Sequence, residues 1–119
     1  GGLTEAKRIA SLASANGIDF IPHTWGTSIG LHVALHFISN IESIPGRMYQ
    51  PDFLMEYDQT ENALRDKLSY PSIEMKDGMI EVPNRPGLGI DIDEDVLRKY
   101  SNSPSIEKKD LIKDIIKVK

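Results

Sequence analysis

The chain of 119 residues contains no cysteine. A disulfide framework and a zinc site built on thiolates are therefore both excluded. Basic residues are not in excess either, since 14 lysines and arginines face 18 aspartates and glutamates, for a formal net charge of −4 at pH 7. This balance argues against nucleic acid or an anionic membrane as the main partner.

Long apolar runs are also lacking, and no stretch approaches the roughly 20 residues that a membrane span needs. The first residues, Gly1 to Thr4, have neither the basic nor the apolar region of a signal peptide. With the absence of cysteine, this predicts a cytoplasmic protein. The length fits one domain, and a start at Gly-Gly without methionine leads us to expect a piece of a longer protein.

The first half of the chain alternates between helical and strand-like patterns. Apolar residues recur at helical spacing over 3–16 and again over 27–39. Two short apolar runs, 18–21 and 53–57, are typical of strands that are buried on both faces of a parallel sheet. Alternating helices and strands with short connections predict right-handed βαβ units.

The pattern changes in the second half. Two short runs within 72–82 flank Asp77-Gly78, the strongest short signal for a β-hairpin. A loop rich in proline and glycine follows at 83–89, and Asp93 is placed to cap a short helix that reaches Tyr100. A last amphipathic helix is expected to start at Ser103.

Two parallel strands leave both edges of their sheet unpaired, and a closed (β/α)8 barrel takes ~250 residues. We therefore predict an α/β chain that forms the C-terminal part of such a barrel, with about its last two strands and their helices. A small antiparallel hairpin and a helix follow. The predicted boundaries are 1–66 for the end of the barrel, 67–100 for the flap and 101–119 for a helical tail.

Two titratable side chains lie at the ends of the predicted strands. His23 comes just past 18–21, and Glu56 lies near the end of 53–57. The loops that follow barrel strands converge on the active site, and an imidazole can take or give a proton near neutral pH. An acid–base pair is one interpretation. The alternative is a locally bonded histidine and a merely solvated glutamate.

Three other groups invite a chemical interpretation less strongly. His32 and His36 have zinc-like helical spacing, but the zincin motif needs a glutamate where Val33 stands, so packed helix histidines are favoured. The acidic run 91–95 lacks the spacing of a calcium loop and suits the start of a helix. The glycine-rich run 86–89 matches neither a phosphate loop nor a dinucleotide fingerprint, and predicts a tight turn.

Five motifs together resemble the C-terminal portion of the mandelate racemase/muconate lactonizing family, in the enolase superfamily and its mandelate racemase-like subgroup. The resemblance runs in order from Gly1 to about Tyr100. The motifs are GGLTE at 1–5, PHTWG at 22–26, EYD at 56–58, DG at 77–78 and VPNRPGLGI at 82–90. The resemblance implies a modified (β/α)8 barrel with a capping domain, and the predicted hairpin would belong to that capping domain.

The resemblance also implies roles for three side chains. His23 matches the general base of the seventh strand, and Glu56 matches an eighth-strand residue that hydrogen-bonds the substrate carboxylate, for which it must be protonated or share a proton. Trp25 is placed to form a substrate-binding pocket wall. A divalent metal, usually Mg²⁺, would stabilise the enediolate. The family's metal ligands, its other catalytic residue and the aspartate that orients the histidine lie outside these 119 residues.

The resemblance therefore implies a fragment of a metal-dependent enzyme that abstracts the α-proton of a sugar acid or another α-hydroxy carboxylate. An acid-sugar dehydratase, a lyase, is the leading hypothesis. A racemase, an epimerase or a sugar-lactone cycloisomerase, all isomerases, stays open. We expect the chain alone to be inactive without the N-terminal part of its protein. A non-catalytic fragment that self-associates through its strand edges is the alternative, and a homo-oligomer is expected.

Overall fold

The structure, a computed structural model, describes residues 2–49 and 52–101. These residues form helices and short antiparallel strands. In chain order the elements are α1 (Gly2–Ala15), α2 (Ser28–Ile38), α3 (Ala63–Asp66), β1 (Ser69–Tyr70), β2 (Met75–Lys76), β3 (Met79–Ile80), β4 (Asp91–Ile92) and α4 (Glu94–Tyr100). The helix predicted from Ser103 lies outside the described residues.

Helix α2 forms the centre of the apolar core, as expected of a helix that is apolar over much of its surface. The buried apolar side chains are Ala10, Leu31, Ala34, Leu35, Ile38 and Leu68. Phe20 meets Phe37 edge to face at 5.7 Å between ring centroids, a favoured geometry for aromatic pairs. Both long helices thus confirm the helical spacing found in the sequence. None of the described helices is long and apolar enough to cross a membrane.

The two strands predicted at 18–21 and 53–57 are wrong, because neither run has regular secondary structure. A strand requires N–H and C=O partners on a neighbouring strand, and the described residues provide none for these runs. The two runs still lie near each other. Phe20 and Ile21 from the first and Phe53 and Leu54 from the second line one cavity of about 370 Å³.

The predicted hairpin is confirmed, with Met75 and Lys76 paired antiparallel with Ile80 and Met79. Asp77 and Gly78 have φ values of 52° and 77°, the left-handed pair that a tight two-residue hairpin turn requires. The helix capped by Asp93 is confirmed too. Its carboxylate accepts hydrogen bonds from the N–H groups of Asp95 and Val96, each at 3.0 Å.

The sequence did not reveal a second antiparallel pair, β1 with β4. Ser69 lies opposite Ile92, and Tyr70 lies opposite Asp91. Beside this pair, the N–H of Asp93 donates to the carbonyl oxygen of Leu68 at 2.8 Å. The pair therefore closes the stretch between them, which contains the hairpin and the Gly-rich loop.

Candidate functional site

The structure brings together the two titratable residues that the sequence singled out. Nδ1 of His23 contacts Oε2 of Glu56 across 33 positions of the chain. Both side chains are exposed, by 79% and 53%, so they lie at the surface of the described residues. The geometry can share or transfer a proton between imidazole and carboxylate, and it leaves Nε2 of His23 for another group.

Trp25 lies two residues beyond His23 and is 73% exposed. An indole ring left in solvent carries a large apolar surface that can cover a ligand. The structure therefore places an aromatic surface in the same loop as the imidazole. Its predicted role in substrate binding stays a prediction.

An arginine whose side chain is largely covered follows the Glu56 segment. Only 9% of the Arg65 side chain is exposed, and its Nη1 donates to the backbone oxygen of Asp58 at 2.7 Å and to Oδ2 of Asp58 at 2.9 Å. Its Nε donates to Oδ1 of Asp66 at 2.8 Å. A guanidinium provides several donors in a fixed plane, so this single side chain binds the chain just beyond Glu56 to α3.

The same contacts shift pKa values. The hydroxyl and the N–H of Thr60, together with the Arg65 guanidinium, lower the pKa of Asp58 below its ordinary value. Arg65 likewise lowers the pKa of Asp66, mainly by a hydrogen bond between the side chains. The hydrogen bond to Asp66 in turn raises the pKa of Arg65. Charges and hydrogen bonds therefore hold the cluster ionised.

Asn62 connects this segment with the loop that carries His23. Its Oδ1 caps α3 by accepting from the N–H groups of Leu64 at 3.1 Å and Arg65 at 3.2 Å. Its Nδ2 donates to the carbonyl oxygen of Gly26 at 3.0 Å. The sequence analysis missed both Asn62 and Arg65. An asparagine just before a short helix was the available signal, since asparagine is a preferred cap.

The two helix histidines are engaged locally. His32 is buried, and its Nδ1–H donates to the backbone oxygen of Ser28 at 2.8 Å. Nε2–H of His36 donates to the backbone oxygen of Leu88 at 3.2 Å, which fastens α2 to the Gly-rich loop. Each imidazole therefore donates a ring N–H to a backbone oxygen of the same chain.

The acidic run is engaged in the same way. Asp91 accepts from Arg85 at 3.0 Å, whereas Glu94 and Asp95 accept from Arg98 at 2.8 and 2.7 Å. Within residues 2–49 and 52–101, no group of three or more histidine, cysteine or acidic side chains is arranged to hold a metal ion. The residues of this part of the chain thus do not fit the ligand set of a Mg²⁺ site.

Two chain segments, each followed by helix, place a histidine beside a glutamate, and a capped turn fastens both segments together. This is an α/β domain with a candidate acid–base site. The enolase C-terminal domain-like family matches residues 1–96. The chain belongs to that family, which confirms the predicted α/β fold class, the C-terminal part of a barrel with a small antiparallel hairpin and a helix. The structure adds the second antiparallel pair, β1 with β4.

Similar proteins point to the same family. A curated D-galactarolactone cycloisomerase from Agrobacterium fabrum is 35% identical over 84% of this chain, and an arabinonate dehydratase from Saccharolobus solfataricus is 34% identical over 84%. Among solved structures, the 3,6-anhydro-D-galactonate cycloisomerase from Zobellia galactanivorans is 45% identical in sequence. Its crystal structure matches 84% of this chain with a TM-score of 0.69. The chain spans only 26%, 24% and 26% of these proteins, respectively.

Proposed function

We propose that His23 and Glu56 are the acid–base residues of an enzyme that removes the α-proton of a sugar acid and expels the oxygen on its β-carbon. The contact between Nδ1 of His23 and Oε2 of Glu56 is the observation that carries this proposal. Two groups that can exchange a proton lie side by side, and in barrels the residues at strand ends face the active site.

The proposed chemistry accounts for both kinds of relative. In 3,6-anhydro-D-galactonate the ring oxygen is bonded to C3, which is the β-carbon of the carboxylate. Removal of the C2 proton leaves an electron pair that forms a C2–C3 double bond, and the C3–O bond breaks. A dehydratase expels water from the same position. The 45% identity with the cycloisomerase favours a ring-opening isomerase over the dehydratase expected from the sequence.

His23 would take the proton on Nε2, because Nδ1 is held by Glu56. The departing oxygen then needs a proton, which the same imidazolium can return. Glu56 would orient His23 by accepting from Nδ1–H through Oε2, and with a second proton on Oε1 it would donate to the substrate carboxylate. Trp25 would cover one face of the substrate. A racemase or an epimerase would use the same first step without loss of oxygen.

A divalent metal, Mg²⁺, would supply charge stabilisation of the enediolate in the complete enzyme. The described residues do not form its ligand set, so its ligands would come from other parts of the protein. We therefore expect the 119-residue chain alone to give no turnover of a sugar-acid panel with Mg²⁺ present. Turnover by this chain alone would contradict the proposed division of the site.

A graft tests the roles of the two residues. The chain would replace the matching quarter of the 3,6-anhydro-D-galactonate cycloisomerase, and kcat would be measured with that enzyme's substrate. His23→Asn should lower kcat by about 10²–10⁴-fold, the usual contribution of a general base. Glu56→Gln should lower it by ~10–100-fold, because an amide can donate a hydrogen bond but cannot share an acidic proton with the charge that builds on the substrate carboxylate.

Glu74→Gln is the matched control, since it removes an exposed carboxylate of the flap whose ion pair is with the exposed Lys76, at 3.8 Å. It should leave kcat unchanged. An active graft in which His23→Asn is as fast as the parent would refute the proposed role of the imidazole. A graft that opens no ring but dehydrates arabinonate would instead favour the dehydratase.

Self-association is a second candidate, because several large apolar side chains are exposed. They include Leu12 on α1, Ile18 beside the cavity, and Leu54 in the Glu56 segment. Ile18 and Leu54 line the same cavity, and contiguous exposed apolar surface marks contact sites. A second copy of the chain would cover it in the absence of other parts of the barrel.

A further inference from the structure

The short helix α3, together with its cap residue Asn62, contacts both chain segments that form the candidate site. On one side, Nδ2 of Asn62 donates to the carbonyl oxygen of Gly26 at 3.0 Å, and Gly26 is three positions beyond His23. On the other side, Arg65 donates to the backbone oxygen of Asp58 at 2.7 Å, and Asp58 is two positions beyond Glu56. One turn of helix thus holds the loop of the base and the loop of its partner.

The Asn62 side chain performs two tasks that few side chains combine. Its carbonyl oxygen caps α3, and its NH₂ group reaches a backbone oxygen 36 positions earlier in the chain. A carboxylate can cap but cannot donate, and a hydroxyl is shorter. Gly26, whose carbonyl accepts this bond, has a backbone φ of 147°, a region that favours glycine. Both ends of this contact therefore require their particular residue.

We propose that Asn62 is a positioning residue that sets the distance between His23 and Glu56 by fastening the His23 loop to α3. Arg65 performs the corresponding task for the Glu56 segment. The catalytic consequence rests on the proposed function, whereas the structural consequence does not. Helix α2, which follows this loop, also packs against α3, but the amide of Asn62 is the side chain that hydrogen-bonds the loop's own backbone from the α3 cap.

Asn62→Asp separates the two tasks of the side chain. The carboxylate keeps the cap, because aspartate caps helices as well as asparagine does, but it cannot donate and it repels the carbonyl oxygen of Gly26. In the 119-residue chain, NMR would record how far the ring signal of His23 shifts when Glu56→Gln is introduced; this shift is the response of His23. We expect a clear shift in the parent. In the Asn62→Asp background the shift should be at most half as large, while the α3 signals persist.

Asp93→Asn is the matched control, because it changes the cap residue of α4. It should leave the response of His23 unchanged. Asn62→Ser, which can also cap but adds no charge, should act like Asn62→Asp. The proposal is overturned if Asn62→Asp preserves the response, if the control reduces it equally, or if both Asn62 variants lose the α3 signals, since Asn62 would then be merely structural.

Kinetics in the graft supply a second readout. Asn62→Asp should lower kcat by about tenfold and change KM by less than about twofold, since a misplaced base slows the chemistry more than it weakens binding. An active graft whose kcat is unaffected would overturn the positioning role. A graft without activity, in a chain whose NMR response is reduced, would refute the proposed function and leave the positioning role standing.

Discussion

At the scale of single residues, Asp58 shows how strongly local contacts fix a charge. The pKa of its carboxyl is lowered by the hydroxyl of Thr60, by the N–H of Thr60 and by Arg65, and burial only partly opposes them. The carboxylate therefore stabilises the folded chain above the ordinary pKa of 3.8. This contribution is lost as the pH falls through the lower pKa of the folded state.

Asp58→Asn should accordingly lower the free energy of unfolding at pH 7, because the neutral amide loses the ionic part of these contacts. The difference from the parent should shrink as the pH falls below 3.8, since the parent then loses the same charge. Urea unfolding at pH 7 and near pH 3 measures this. Glu74→Gln removes an equal charge from the exposed flap as a control. A destabilisation by Asp58→Asn that does not change with pH would contradict the assignment.

The candidate pair could be located from sequence, because His23 follows one apolar run and Glu56 lies near the end of another, and barrel geometry brings such positions together. The residues that fasten the pair could not. Asn62 and Arg65 act through contacts with Gly26 and Asp58 that depend on how distant loops meet. A cap signal predicts a helix start, but it does not indicate which carbonyl the remaining NH₂ group will reach.

At the scale of elements, local signals predicted well and non-local ones did not. The helical periods of α1 and α2, the Asp-Gly turn and the Asp93 cap all act within a few residues, and all are present in the structure. The runs 18–21 and 53–57 failed as strands because a parallel strand depends on neighbours elsewhere in the chain. The β1–β4 pair was missed because each of these strands has two residues, which is too short to show an alternating apolar pattern.

The Gly-rich loop can be tested at the same scale. Gly89 is buried with a φ of 75°, and a Cβ added there would lie 2.4 Å from Cβ of Pro83. Gly89→Ala combines a left-handed backbone with a clash, so it should cost about 2–5 kcal/mol of the free energy of unfolding. Urea unfolding measures this cost.

Gly87→Ala provides the control, because Gly87 has a similar φ of 68° but nothing within 4 Å of an added Cβ. It should cost only about 1–2 kcal/mol. Equal costs at the two positions would show that the close approach to Pro83 does not matter.

At the scale of the whole molecule, the described residues leave much apolar surface uncovered. We expect the purified 119-residue chain to elute from a size-exclusion column as an oligomer. Leu54 is 62% exposed and lines the cavity. Leu54→Gln should weaken association by about tenfold or more, since burying one leucine contributes about 1.5–3 kcal/mol.

Met79→Gln is the control for association, because Met79 is 70% exposed but lies on the hairpin. It should leave the elution volume unchanged. A monomeric parent chain would count against self-association, and equal effects of the two variants would show that the cavity face is not the contact.

The small ladder between β1 and β4 has a consequence for how this chain tolerates change. The segment from Pro71 to Ile90 begins and ends at the same place, because the β1–β4 ladder and the hydrogen bond from Asp93 to Leu68 join its two ends. Severing the backbone at the Asp77-Gly78 turn would leave each cut end anchored to the same body. The two pieces should then reassemble when mixed, so this turn is the natural point at which to divide the protein or to insert a foreign peptide.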